Sequence, residues 1–181
     1  PTDSPPFHRH TLDDELWMIH GGQFRFWIGG TSLDTATVHD VGVPDPVSGR
    51  IVFDGFAGTR TDSFPSLSIA NGAPNGAGAT NTIVLTWPDG ALNHEQALVQ
   101  TSADRGLTWS VPVNAAQAGD RPDNPAVAIS PNGTDVYLVY NAYLQPFQTT
   151  TANPRQMQGV TRHADVGAGG VLGPFTTLHR A

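Results

Sequence analysis

Arg60-Thr61-Asp62-Ser63-Phe64-Pro65-Ser66-Leu67-Ser68-Ile69 and Arg121-Pro122-Asp123-Asn124-Pro125-Ala126-Val127-Ala128-Ile129 are two copies of one pattern. Each runs Arg-x-Asp, then a proline, then small and apolar residues that close on isoleucine. A weaker third copy, Asp13-Asp14-Glu15-Leu16-Trp17-Met18-Ile19, keeps the aspartate and the closing isoleucine. The isoleucines fall at 19, 69 and 129, spacings of 50 and 60 residues, about the length that four short strands and their turns fill. A pattern recurring in order at that period predicts copies of one supersecondary unit.

The residues between the copies fit the same plan. Runs rich in β-branched and aromatic side chains recur at Leu16–Ile19, Phe24–Ile28, Arg50–Phe53, Leu67–Ile69, Thr82–Trp87, Ala97–Thr101, Ala126–Ile129, Asp135–Tyr140 and Gly159–Arg162. Turn clusters separate them: Gly21-Gly22, Pro88-Asp89-Gly90 and Pro131-Asn132-Gly133-Thr134. No stretch holds helical apolar spacing for three turns without a glycine or proline inside it. An Asp-Gly element follows the third strand of each unit, at Ser102-Ala103-Asp104-Arg105-Gly106 and, 61 residues on, His163-Ala164-Asp165-Val166-Gly167. His39-Asp40-Val41-Gly42 is a degenerate first copy. The expected fold is all-β, one domain over 1–181, in three units at approximately 13–58, 59–119 and 120–181.

Composition agrees with short strands and tight turns. The 181 residues are 38% hydrophobic, with 20 glycines and 15 prolines scattered without period. The net charge is −7, and all nine cations are arginines spread along the chain. Nucleic acid and anionic lipid are therefore poor partners, because phosphate binding needs clustered positive charge. With no cysteine, neither a disulfide framework nor a thiolate metal site can form. No apolar run approaches the roughly 20 residues of a membrane span. Pro1 to Pro6 do not read as a signal peptide, so an export signal is expected to have been removed or to lie outside this sequence.

Ser102-Ala103-Asp104-Arg105-Gly106-Leu107-Thr108-Trp109 matches Ser-x-Asp-x-Gly-x-Thr-Trp at every fixed position. This is the Asp-box, or BNR repeat, and through it the chain resembles the sialidase-like β-propeller superfamily. The motif is a structural one, expected in the hairpin between the third and fourth strands of a blade. Asp104 would accept turn amides, Gly106 would supply a positive φ, Ser102 and Thr108 would tie hydroxyls across the turn, and Trp109 would pack into the sheet. The resemblance implies four-stranded antiparallel blades, about three in this chain, from what would be a six-bladed propeller. The segments ending at Ile19, Ile69 and Ile129 would be the innermost strands of consecutive blades. Three blades do not close a ring of four to eight, so the remaining blades or another copy of the chain are expected partners.

The same resemblance says where a ligand would sit. Connections into first strands, and loops from second to third strands, would share the rim of a central funnel, with the Asp-box turns on the opposite face. That rim would collect Asp13, Asp14, Arg60, Asp62, Arg121 and Asp123 from the first set, and Asp89, His94, Glu95, Asn141, Tyr143, Gln145 and Arg155 from the second. Arginine forks grip a carboxylate, a carboxyl can act as acid or base, and sialidases use a tyrosine nucleophile. The resemblance thus implies catalytic candidates Asp62, Asp123 and Tyr143 and substrate-binding candidates Arg60, Arg121, Glu95 and Arg155. A second reading stands beside it: a recurring Arg-x-Asp is a strut between blades, since a catalytic role needed once need not recur. The Phe/Tyr-Arg-Ile-Pro tetrapeptide of true sialidases does not occur, so their arginine triad is not carried over.

Two functions are accordingly expected in parallel. One is a secreted or cell-surface glycan-active protein, exported from a bacterium, an exo-glycosidase acting on terminal acidic sugars. The other is a non-catalytic carbohydrate- or protein-binding propeller, the fold being shared by both. A glycan or glycoprotein is the expected ligand. No cofactor and no metal is expected: His8, His10, Asp13, Asp14 and His20 fit no recognised ligand spacing. Tyr137 and Tyr140, alternating with Val136 and Val139, read as packing residues. Asn132-Gly133-Thr134 is an acceptor sequon and equally an ordinary hairpin turn.

Overall fold

The computed structural model describes residues 65–89, 96–145 and 156–181 in full, and the backbone of strands at 22–28, 31–38, 43–44 and 51–52. The chain is all-β. Strands β1 (Gly22–Ile28) and β2 (Thr31–Val38) form an antiparallel pair, and β3 (Val43–Pro44) and β4 (Ile51–Val52) another. Two four-stranded antiparallel meanders follow. The first holds β5 (Ser66–Ile69), β6 (Ile83–Asp89), β7 (Gln96–Ser102) and β8 (Val113–Asn114), in that spatial order. The second holds β9 (Arg121–Ile129), β10 (Asp135–Tyr143), β11 (Met157–Asp165) and β12 (Thr176–Arg180), again in sequence order. A single 3-10 turn, Ala168–Gly170, is the helical content of the described residues, and none of their helices is long and apolar enough to cross a membrane.

Ile69 closes the first strand of one sheet and Ile129 the first strand of the next, both at the edge of a four-stranded meander. Ile19 lies outside the described residues. Four strands had no clear signal in the sequence. β2 was not expected, β3 and β8 are two residues each, and β12 is exposed at four of its five positions, so none of the short ones shows in-out alternation. Except for β4, which is shorter than its run at 50–53, the strands that the sequence predicts run longer than their apolar runs, as β9 shows. It begins at Arg121, five residues before Ala126, because its two prolines sit where no ladder N–H is required.

Alternation along the second sheet sorts its two faces. Val127 and Ile129 of β9, Val136, Leu138 and Tyr140 of β10, and Val160 and Ala164 of β11 are buried, while Ala126, Ala128, Tyr137 and Val139 between them are exposed. The buried face packs on Ala70, Val84, Ala97 and Val99 of the first sheet to make one core. The sheets also meet through hydroxyls. As an edge strand β9 has N–H groups that β10 cannot take, and those of Val127 and Ile129 donate to Ser66 Oγ and Ser68 Oγ of β5, each at 3.2 Å. The matched steps, 66 to 68 and 127 to 129, make β5 and β9 neighbours running in the same direction. Ser66 and Ser68 therefore satisfy an edge that would otherwise be left open inside the molecule.

The connections divide between two ends of this stack. The hairpins leaving β5, β7, β9 and β11 lie at one end, called here the box end. Thr101 Oγ1 donates to the Gly170 carbonyl at 2.7 Å and Gly72 N–H to the Pro131 carbonyl at 2.8 Å, so hairpins of both sheets are tied together there. Gly133, at φ 75° in the β9–β10 turn, lies against Thr80 and Ala70, where a Cβ would overlap the Thr80 hydroxyl. The opposite end, the rim end, gathers the C-terminal ends of β6 and β10 and the N-terminal ends of β5, β7, β9 and β11.

Candidate functional site at the rim end

The Asp-box turn is at the box end and is closed upon itself. Asp104 Oδ1 accepts from Ser102 Oγ at 2.8 Å and from the Thr108 amide at 2.9 Å, and Oδ2 accepts from Thr108 Oγ1 at 2.6 Å. Gly106 N–H donates to Ser102 Oγ at 2.7 Å, and the Trp109 indole N–H donates to the Gly106 carbonyl at 3.1 Å. Arg105 and Gly106 hold φ of 64° and 85°, the two left-handed residues that reverse the chain. The Thr108 hydroxyl, then its amide, then the Ser102 hydroxyl hold the Asp104 carboxyl down to about 2. The side chains of Ser102, Asp104, Thr108 and Trp109 are all engaged within the turn, which they hold closed.

At the rim end the register assembles a different set. Tyr143 lies directly opposite Arg121, and Asn141 opposite Asp123, across β9 and β10. Tyr143, expected just beyond its strand, is instead the last residue of β10 and is buried. Arg121 and Asp123, expected in a connection, lie in β9, with Arg121 half-buried and Asp123 only 1% exposed. On the first sheet Asp89 ends β6 opposite Gln96 and is 3% exposed. Two buried carboxylates at one end of two packed sheets are unusual, since carboxylates are rarely fully buried without partners. Both carboxylates interact with other groups of the protein.

A β-bulge aims Asp123. The β9–β10 register slips between Val139 and Asn141, and Asn124, with φ at 48°, is the left-handed residue on the bulged strand. Asp123 Oδ1 accepts the Asn124 amide at 2.9 Å and Oδ2 the Asn124 side-chain amide at 3.1 Å. Bulges and positive φ at a non-glycine residue tend to occur where a side chain must be redirected, often beside a functional site. Farther out, Gln145 Oε1 accepts the Gln156 amide at 2.7 Å, joining the two ends of the β10–β11 connection.

The structure thus brings Arg121, Asp123 and Tyr143 to one end of one sheet, with Asn141 and Asp89 alongside. Arg60, Asp62, Glu95 and Arg155, as well as Asp13, Asp14 and His94, lie outside the described residues, and so do His8, His10 and His20.

Beneath the rim is a polar layer that the sequence did not reveal. Tyr140 donates to Asp120 Oδ2 at 2.7 Å and accepts the Gln117 amide at 2.9 Å. Arg180 bridges Asp120 Oδ1 at 2.5 Å and Gln158 Oε1 at 2.7 Å, tying β12 to the connection before β9. Burial pushes the Tyr140 hydroxyl up to about 12, against the opposing pull of the Gln117 amide. Tyr140 is therefore a neutral strut at every ordinary pH. Tyr137, by contrast, is 42% exposed, not packed as expected, and its ring lies 4.9 Å from that of His163.

At the box end Asp135, His163 and Asp165 offer one ligand atom each within 4.8 Å of one another, the metal-ligand grouping found among the described residues. No protein-family model matches the chain, and comparison with curated proteins gives no match either.

Proposed function

We propose that the chain is part of a sialidase-like β-propeller whose rim end engages an acidic glycan. The Asp-box and the two meanders with adjacent, parallel first strands support the propeller reading. So does the outer face of the second sheet. Ala126 and Ala128, exposed there, stand 60 residues after Ser66 and Ser68, which face the second sheet. Tyr137, Val139 and Met157, exposed by 42%, 46% and 51%, belong with them to a face at which a further sheet of the same kind would continue the stack.

The observation that carries the ligand reading is the gathering of Arg121, Asp123 and Tyr143 at the rim end. Arg121, half-buried at the rim, is the residue type whose guanidinium grips a carboxylate, and the buried Asp123 and Tyr143 shape its surroundings. Asp123, only 1% exposed and with both oxygens accepting from Asn124, is suited to shape the rim more than to exchange a proton with a ligand. That favours glycan binding over glycoside hydrolysis for the described residues. Secretion or surface display is the matching location.

Titration of the protein with sialyllactose and with neutral lactose, beside an aryl sialoside hydrolysis assay, tests the reading. Selective binding of the sialylated sugar, weakened about tenfold or more in Arg121→Ala, is the expected result, the scale of one lost charge-assisted contact. Equal affinity for both sugars, or an Arg121→Ala variant that binds as wild type, would mean that Arg121 is a strut between sheets. Turnover of the aryl sialoside that Tyr143→Phe abolishes would move the assignment to a hydrolase.

A further inference from the structure

We propose that Asp135, His163 and Asp165 form a binding site for one divalent transition-metal ion, of the zinc class, at the box end of the second sheet. His163 Nε2 lies 2.9 Å from Asp135 Oδ1 and 3.9 Å from Asp165 Oδ1. Ligands about 2.1 Å from a tetrahedral ion are roughly 3.4 Å apart, so these separations bracket the required one and small side-chain rotations reach it. The register explains why the three converge. Asp135 is directly opposite Asp165 and Tyr137 directly opposite His163, so all point to the outer face of β10 and β11. The Tyr137 ring backs the imidazole, and Thr134 Oγ1, 2.5 Å from Asp135 Oδ2, orients that carboxylate from behind.

The repeat supplies an independent argument. His163-Ala164-Asp165-Val166-Gly167 occupies the place of Ser102-Ala103-Asp104-Arg105-Gly106, with Asp165 standing for Asp104 and His163 for Ser102. Asp104 spends its carboxylate on three donors of its own turn. Asp165 has none of them: its side chain is 90% exposed and, among the described residues, accepts no hydrogen bond. The second turn is closed by backbone instead, through Gly167 N–H to the Val171 carbonyl and Gly173 N–H to the Asp165 carbonyl, both at 2.8 Å. The aspartate has been released from holding the turn and set opposite another aspartate, an arrangement of like charges that costs stability unless a cation lies between them. His163 occupies that place and brings an imidazole nitrogen.

One nitrogen and two carboxylate oxygens suit zinc, cobalt or manganese better than calcium or magnesium, which prefer all-oxygen sets. Three protein donors leave a position for water or for a group from a bound partner.

Calorimetric titration of the chelator-treated protein with zinc, and optical titration with cobalt, test the site. The expected result is a site of micromolar affinity or better that weakens by about tenfold or more in Asp165→Asn and in His163→Gln, as loss of a ligand requires. Asp165 is exposed, so its asparagine variant keeps the fold, which circular dichroism checks. A His8→Gln/His10→Gln double variant should bind as wild type. Zinc uptake undiminished in Asp165→Asn and His163→Gln, or lost only in the His8/His10 variant, would overturn the proposal, as would the absence of micromolar uptake.

Discussion

The turns after β7 and after β11 occupy the same place in two consecutive sheets, yet they are held by different physics. In the first, Asp104 gathers the Ser102 and Thr108 hydroxyls and the Thr108 amide, and the turn is a closed hydrogen-bonded unit. In the second, the backbone closes the turn through Gly167, Gly170 and Gly173, and Asp165 faces solvent. A repeat conserves the position of an element, but whether the residue there is structural or available is decided by which donors surround it. The same contrast separates the two ends of the molecule. Box-end groups of the first sheet satisfy each other, whereas the rim end collects an arginine, buried carboxylates and a buried tyrosine from different strands.

The two turns differ, but the sheets share one core and should unfold together. Leu138→Ala, which empties a fully buried site between them, should cost about 2–5 kcal/mol and lower a single transition seen by all probes. Two separate transitions in chemical denaturation would show instead that the sheets are independent. The polar layer should matter next. Tyr140→Phe strands the Gln117 amide and removes a donor to Asp120, at about 1–3 kcal/mol. An unchanged denaturation midpoint would mean that water replaces the hydroxyl there.

The turns themselves give the sharpest contrast. Asp104→Ala should lower the melting temperature, while Asp165→Ala in metal-free buffer should leave it unchanged or raise it slightly by relieving Asp135. Equal losses would erase the distinction. The acid response should follow. The Asp104 carboxyl is held at about 2, below its ordinary 3.8, so its contribution is complete above roughly pH 4 and is lost as pH falls through about 2. Asp135 is lowered too, by the Thr134 hydroxyl and then by His163, and adds in the same direction. Melting temperatures between pH 5 and pH 2 should therefore fall less for Asp104→Asn than for wild type. Parallel curves would place the acid sensitivity elsewhere.

Much of this was legible in the residues. The closing isoleucines, with their neighbouring small residues, mark β5 and β9 because an edge strand against another sheet needs alternating apolar and small positions. Pro131-Asn132-Gly133-Thr134 marks its turn because Gly133 takes a positive φ against Thr80. β12 was not legible, since it is held by Arg180 and Thr177 reaching Asp120 and Gln117 60 residues earlier, contacts that leave no local pattern. Nor was the alignment of Arg121 with Tyr143, because the prolines flanking Asp123 read as strand breakers and the bulge at Asn124 that accommodates them is a tertiary feature. The Asp135–His163–Asp165 group escaped for a related reason: its members are 28 and 30 residues apart and meet only through the β10–β11 register.

We propose that ligand is met at the rim end and not at the box end. Hydrogen–deuterium exchange with and without saturating sialyllactose measures this directly. Slowed exchange in peptides covering 119–125 and 139–145, with peptides covering 102–110 and 163–170 unchanged, is the predicted footprint. Protection confined to 102–110 and 163–170, or no protection anywhere at millimolar sugar, would contradict it.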